Sequence, residues 1–136
     1  MCLDLGTSRI GVAVSDLLGY TAQGVDTIQS KGLDADIRTI QELIKKHQVF
    51  RLIIGYPINM DGSEGNKAKT IREQYEAISA EVGIETLLWD ERLSTKEAER
   101  ALDMDQVHWK KKKQVIDRMA AQIILQSYLD YQSLKQ

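Results

Sequence analysis

The length, composition and charge of this chain set limits on its fold and partners. Its 136 residues suit one compact domain, and the 43% hydrophobic and 28% charged fractions exclude a disordered chain. The net charge of −2 excludes a global attraction to nucleic acid or to anionic membranes, so any such binding must be local.

Compartment and membrane association follow from the cysteine content and the hydropathy pattern. A single cysteine, Cys2, excludes an internal disulfide and suits a reducing compartment. No apolar run is long enough to span a bilayer, and the first residues lack the pattern of a signal peptide. We therefore expect a cytoplasmic protein that does not associate with membranes.

The first half of the chain predicts a hairpin-led meander and a helix. The predicted strands cover residues 2–6, 10–15 and 24–29, and the predicted helix covers residues 34–47. In the second strand Gly11, Ala13 and Ser15 share one face. That face is nearly bare, so another element can approach its backbone closely.

The second half alternates strands and helices. The predictions are a strand at residues 50–57, a turn-rich loop, a helix at 66–82 capped by Asn66, a strand at 84–89, a helix beginning at Ser94, a mobile loop at 103–113 and a helix at 114–132. This order is typical of an α/β domain with a mixed sheet whose later strands are parallel.

Three acidic residues occupy apolar settings, and the first is Asp4. Leu3 and Leu5 point to one face of the first strand and Asp4 points to the other. If helices cover both faces of the sheet, Asp4 is half-buried. A buried carboxylate then requires a cation, a hydrogen-bond cluster or a bound metal.

The other two acids lie far along the chain. The segment "WDERLST" places Asp90 and Glu91 where an apolar strand ends, which is where open α/β sheets bind ligands, and either can point into that crevice. Asp117 lies on the apolar stripe of the last helix, beside Ala120 and Ala121.

Each acid alone has an ordinary structural explanation, such as a turn, an ion pair with Arg92, or a favourable interaction with a helix dipole. Together they indicate a cation, because clustered carboxylates repel one another. The isolated His47 and His108 offer no competing ligand set. Oxygen ligands favour Mg²⁺ or Mn²⁺, and these ions usually act on phosphate oxygens.

The chain resembles the YqgF (RuvX) family of ribonuclease-H-like nucleases. Four blocks carry the resemblance in family order and spacing: "LDLGTSRIGVAVSD", "IIGYPINMDGSEG", "WDERLST" and "IDRMAAQIILQSYL". The resemblance implies a ribonuclease-H-like α/β fold, a five-stranded mixed sheet with its first three strands antiparallel, flanked by helices, in a single nuclease domain over residues 1–136. Family members usually carry several more residues before the first-strand aspartate, which implies a truncated first strand or a misassigned start.

The resemblance also implies a function. Members are proposed to process the 5′ end of precursor 16S ribosomal RNA, and earlier to resolve Holliday junctions. Its acidic site would be Asp4, Glu91 and Asp117, binding Mg²⁺ or Mn²⁺. We hypothesise two-metal phosphodiester hydrolysis with Asp4 bridging both ions. The substrate would be structured RNA or branched DNA, and the oligomeric state, monomer or dimer, stays open.

Basic residues are the candidates for binding nucleic acid. In "HWKKKK", Lys110, Lys111, Lys112 and Lys113 can line a phosphate groove, with Trp109 stacking on a base, or they can form a solvated charged loop. Two arginines, Arg9 in the hairpin turn and Arg92, are further candidates for phosphate contacts.

Three other functions compete with rRNA processing. A junction-resolving DNA nuclease would use the same acids but should be a dimer. The segment "DLGTS" also occurs in sugar kinases and actin-like ATPases, but these need two domains and the chain has room for one. A non-catalytic RNA-binding module would not need Asp4, Glu91 or Asp117.

Overall fold

The computed structural model describes the backbone of residues 1–93 and 109–134 and the side chains of residues 1–92 and 118–134. The strands are β1 (Cys2–Leu5), β2 (Arg9–Ser15), β3 (Ala22–Gln29), β4 (Arg51–Tyr56) and β5 (Glu85–Asp90). The helices are α1 (Leu33–Lys46), α2 (Asn66–Val82) and α3 (Trp109–Leu134), and a short 3₁₀ helix covers Glu91–Leu93. The predicted helix start at Ser94 lies outside the described residues.

The five strands form one mixed sheet in the order β3-β2-β1-β4-β5. Strand β2 pairs antiparallel with both β1 and β3, whereas β4 pairs parallel with both β1 and β5. The predicted architecture, with the first three strands antiparallel and the later ones parallel, is confirmed. Although β1 is only four residues long, it is central and pairs on both edges, with Leu3 opposite Val12 on one side and Ile54 on the other.

One face of the sheet packs against α1 and α2. Leu3 and Leu5 point into this core, where Ile40 of α1 and Ile78 of α2 are fully buried. The helix predicted at residues 34–47 is confirmed as α1. Burial of an apolar stripe stabilises such an amphipathic helix far more than its intrinsic propensity does.

The other face packs against α3. Here Cys2 and Ala13 contact a buried stripe of α3 made of Ala121, Ile124, Leu125 and Tyr128. The bare strand face predicted from the sequence therefore accommodates a helix. Contact is also close at Gly24, where an added β-carbon would lie 3.2 Å from the Arg118 backbone oxygen.

Two local predictions are wrong. Helix α3 begins at Trp109, so residues 109–113 are helical and not part of a loop, because lysine is a good helix former and a run of charge does not by itself break a helix. The cap of α2 is Gly65, with no side-chain cap bond, and Asn66 is already the first helical residue.

No helix in the described part of the chain is both long and apolar enough to cross a membrane.

Candidate active site

The strands β1, β4 and β5 are parallel, so their C-terminal ends lie side by side at one edge of the sheet. Asp4 lies near the end of β1, Gly55 near the end of β4, and Glu91 directly after β5. Asp4 is half-buried on the α3 side, as predicted from its alternation with Leu3 and Leu5. Residues separated by almost ninety positions along the chain thus meet at the edge where α/β sheets bind ligands.

Glu91 lies over the backbone of Gly55. A β-carbon added to Gly55 would be only 2.5 Å from Glu91 Oε1 and 2.9 Å from Ile124 Cδ1. A side chain at this position would displace the Glu91 carboxylate and the tip of the Ile124 side chain, so glycine is what lets both approach the strand.

Glu91 and Asp4 interact directly. The pKa of Glu91 is raised to about 7, chiefly by burial and then by the negative charge of Asp4 and a hydrogen bond between the two carboxyl groups. A hydrogen bond between two carboxyl groups needs a shared proton. The pair is thus a site where protons or cations are held in preference to two bare negative charges.

Asp90 is neutralised by its neighbour Arg92. The Arg92 guanidinium binds it with Nη2 at 2.6 Å from Oδ2 and Nε at 2.8 Å from the same oxygen. Burial alone would raise the pKa of Asp90, but the hydrogen bonds and charge of Arg92 outweigh it and hold that pKa below its usual value. The sequence left open whether Asp90 or Glu91 points into the crevice at the strand ends. In the structure, Glu91 is the one that interacts with Asp4.

Lys67 belongs to the same neighbourhood and was missed by sequence reasoning. It lies in the first turn of α2, and its positive charge opposes the rise in the Glu91 pKa. The available signal was its position just after a turn-rich loop that leaves the carboxyl end of β4. A helix start at this position predicts backbone amides that can bind a phosphate. It does not single out Lys67, because a lone lysine is ordinarily a surface residue.

The loop between β4 and α2, predicted as turn-rich, contains a hydrogen-bonded turn. The Asn59 amide donates to Ser63 O at 2.9 Å, and the Gly62 amide donates to Asn59 O at 2.8 Å. Gly62 has a φ of 87°, a conformation that favours glycine. A β-carbon on Gly62 would lie 4.0 Å from the Arg92 guanidinium, so this turn flanks the acidic site.

The remaining predicted site residues are placed less completely. Arg9 is the first residue of β2, and its carbonyl accepts the Gly6 amide at 2.8 Å in the turn that follows Asp4. Asp117 and Lys110–Lys113 are in α3, but their side chains lie outside the described set. Among the described side chains, no cluster of three or more His, Cys, Asp or Glu could hold a metal ion.

Comparison with known proteins identifies the family. The family model described as "RuvX: Holliday junction resolvase" matches residues 1–131. The chain belongs to the RuvX family. The match spans Asp4, Glu91 and Asp117, and it confirms the resemblance that the four sequence blocks indicated.

Curated relatives of this RuvX-family chain carry the name "Putative pre-16S rRNA nuclease". A relative from Clostridioides difficile (strain 630) is 49% identical over 131 residues, covering 96% of this chain and 93% of the relative. One from Myxococcus xanthus (strain DK1622) is 46% identical over 130 residues, covering 96% of this chain and 86% of the relative. These matches extend over nearly the full length of both partners.

A solved structure of Thermus thermophilus RuvC in complex with a Holliday junction substrate aligns with a TM-score of 0.56. The alignment covers 96% of this chain and 92% of the RuvC chain at 10% sequence identity. At that identity the likeness concerns the fold alone, and it confirms the ribonuclease-H-like architecture for this RuvX-family chain.

Proposed function

We propose that this chain is one nuclease domain, residues 1–136, which hydrolyses phosphodiester bonds at a divalent-metal site made by Asp4, Glu91 and Asp117. The observation that carries the proposal is the direct interaction of Asp4 and Glu91. Asp117 joins the set on the family resemblance and on its place in α3, the helix that packs over Cys2 on the same sheet face.

The donor chemistry of the described residues fits a hard cation. Two carboxyl groups approach closely enough to share a proton, and burial penalises the charged form of Glu91. Replacing the shared proton by a divalent cation would relieve both the repulsion and the burial cost. Mg²⁺ and Mn²⁺ prefer such oxygen ligands, whereas the single cysteine, Cys2, is fully buried among apolar side chains.

The residues of the chain would divide the work of hydrolysis. Asp4 and Glu91, with Asp117, would hold one or two Mg²⁺ or Mn²⁺ ions, which supply activation of the attacking water and stabilisation of the departing 3′-oxygen. Arg92 is oriented by Asp90, and with Lys67 it supplies positive charge beside the acids for substrate phosphates. Water attacks phosphorus, the bond to the 3′-oxygen breaks, and a 5′-phosphate and a 3′-hydroxyl result.

We propose the 5′ end of precursor 16S ribosomal RNA as the substrate, in the cytoplasm where that precursor would be met. The support is the name shared by relatives that are 46–49% identical over nearly the whole chain. Cleavage of branched DNA is the second candidate, supported by the family description and by the fold shared with RuvC. A non-catalytic module is disfavoured, because it would gain nothing from keeping two acids in a repulsive, half-buried contact.

A pair of neighbouring substitutions tests the site. Glu91→Gln should reduce Mg²⁺-dependent cleavage by roughly 100-fold or more, since it removes a proposed ligand. Asp90→Asn, one residue away, should retain cleavage within about tenfold, because Asp90 acts by orienting Arg92. Both variants and the parent chain are assayed on precursor 16S RNA and on a four-way DNA junction. Equal loss in the two variants would contradict the assignment, and cleavage of the junction alone would favour the second candidate.

The lysine run at the start of α3 is tested by charge reversal. Replacing Lys110–Lys113 by glutamate should weaken RNA binding and reduce the slope of log K against log salt by as much as about 3, because each phosphate contact contributes about 0.7–0.9 to that slope. Affinity is measured by fluorescence anisotropy between low and physiological salt. An unchanged slope would identify these lysines as a solvated surface instead.

A further inference from the structure

Three aromatic side chains form a cluster where β5 meets α3. The centroid of the Trp89 ring lies 5.3 Å from that of Tyr128, at an interplanar angle of 87°, and 5.3 Å from that of Tyr131, at 58°. Tyr128 is buried and Trp89 is partly buried, but Tyr131 is 44% exposed. An aromatic side chain therefore remains accessible to solvent at this side of the sheet.

The register of the sheet places the cluster next to the acidic site. Trp89 is opposite Gly55 in the parallel pairing of β5 with β4, and neighbouring strands lie about 4.8 Å apart. The Glu91 carboxylate lies over Gly55, and Trp89 packs on the same face of the sheet, against α3. The indole is thus beside the acidic site, on the outermost strand.

Helix α3 extends this aromatic surface away from the carboxylates. The side chain of Ile124 approaches Gly55, and Tyr131 follows Ile124 by about two helical turns, or about 10 Å along the helix axis. A stacked nucleic-acid strand advances about 3.4 Å per nucleotide. The Tyr131 ring is therefore about three nucleotides from a phosphate held at the acidic site.

Hydrogen bonds hold the two rings that support Tyr131. Trp89 Nε1 donates to Ser127 Oγ at 3.3 Å, and Arg51 Nη1 donates to the Tyr128 hydroxyl oxygen at 2.8 Å. The Nε of Arg51 in turn donates to the Glu85 carboxylate at 2.8 Å. The cluster is thus preorganised, which lowers the entropic cost of binding a flat ligand against it.

We propose that Trp89 and Tyr131 form a surface on which an unpaired base of the substrate stacks, within about three nucleotides of the scissile phosphate. Every base has a π-face, so such stacking tolerates many sequences, but the base must not be enclosed in a duplex. The inference rests on the proposed function and deepens it, because it makes RNA with single-stranded nucleotides beside the cleavage position the preferred substrate.

A purely structural role accounts for part of the cluster. Trp89 and Tyr128 close the edge of the core between β5 and α3, and that burial needs no ligand. An exposed tyrosine by itself is also ordinary. What distinguishes Tyr131 is its contact with a ring that adjoins the acidic site, since a strand bound at the carboxylates would pass this position.

Equilibrium binding of RNA by variants of Tyr131 tests the proposal. All proteins carry Asp4→Asn, to prevent cleavage, and Trp109→Phe, which leaves Trp89 as the single tryptophan. The probe is a single-stranded RNA of about 12 nucleotides, and its duplex is the comparison. Tyr131→Ala should weaken binding of the single strand by roughly 5- to 100-fold, as for the loss of one stacked base. Affinity for the duplex should change by less than about twofold.

Matched variants separate stacking from packing. Tyr131→Phe should retain the parent affinity, whereas Tyr131→Leu should lose it, because leucine keeps apolar bulk but has no aromatic face. The slope of log K against log salt should be the same in all of these proteins, since no phosphate contact is removed. Phe50→Ala should bind as the parent does, because Phe50 is an exposed aromatic residue that precedes β4, at the opposite end from Gly55.

The fluorescence of Trp89 gives a readout that needs no substitution at Tyr131, so it decides the matter even if Tyr131→Ala fails to fold. Emission should fall as single-stranded RNA saturates the protein, because the stacked base would lie against the indole. Unchanged emission, or equal affinity of Tyr131→Ala and the parent, would overturn the stacking surface. Failure of the proposed nuclease function would be seen separately, as undiminished cleavage by a chain that carries Asp4→Asn alone.

Discussion

Replacing Asp4 with asparagine is expected to abolish cleavage and to stabilise the metal-free protein at the same time. In the parent chain the negative charge of Asp4 repels that of Glu91, and burial adds to the cost of the Glu91 charge. The side-chain amide of the introduced asparagine would instead donate a hydrogen bond to the Glu91 carboxylate. Unfolding at about pH 8 without divalent ions should therefore require on the order of 1–2 kcal/mol more free energy.

The same substitution should remove the response to metal. The melting temperature of the parent chain should rise with Mn²⁺ or Mg²⁺, because an ion that binds only the folded state stabilises it. For Asp4→Asn that rise should disappear, and cleavage should fall by roughly 100-fold or more. Asp26→Asn is the matched control, because Asp26 is an exposed aspartate on β3, which β2 separates from β1. Cleavage by Asp4→Asn at the parent rate would refute the metal site.

Gly55→Ala is expected to cost little stability and most of the activity. The new methyl carbon would lie 2.5 Å from Glu91 Oε1 and 2.9 Å from Ile124 Cδ1, so both atoms would have to move. Both atoms are at the ends of flexible side chains, so the structure can adjust for about 1–2 kcal/mol. The displaced carboxylate, however, would no longer match the position of Asp4. A misplacement of about 1 Å is sufficient to slow a reaction by roughly 100-fold.

Gly83→Ala separates the two effects. Gly83 ends α2 with a φ of 70° and has open space around it, so alanine there is strained by about 1 kcal/mol without touching the acidic site. Denaturant unfolding and cleavage are measured for both variants. Comparable stability losses with activity lost only in Gly55→Ala would support the site, whereas full activity in Gly55→Ala would show that the position of Glu91 is unimportant.

Much of the fold was predictable because local patterns reflect burial. The alternation in β1 assigned Leu3 and Leu5 to one core and Asp4 to the other face. The strand predicted at residues 50–57 is present as β4. The bare face of β2 indicated a close approach, which α3 makes. The start of α3 was misplaced, because the charge of the lysine run suggested a loop although lysine is compatible with a helix.

The sequence by itself determined which residue types carry the chemistry: acids set among apolar neighbours, in blocks spaced as in the RuvX family. Only the tertiary structure decided that Glu91 meets Asp4 while Asp90 binds Arg92, and that Lys67 lies beside them. The physical reason is that hydrophobic periodicity reports which face of an element is buried. Meetings between distant side chains depend instead on strand register, and on the close approach that a glycine such as Gly55 permits.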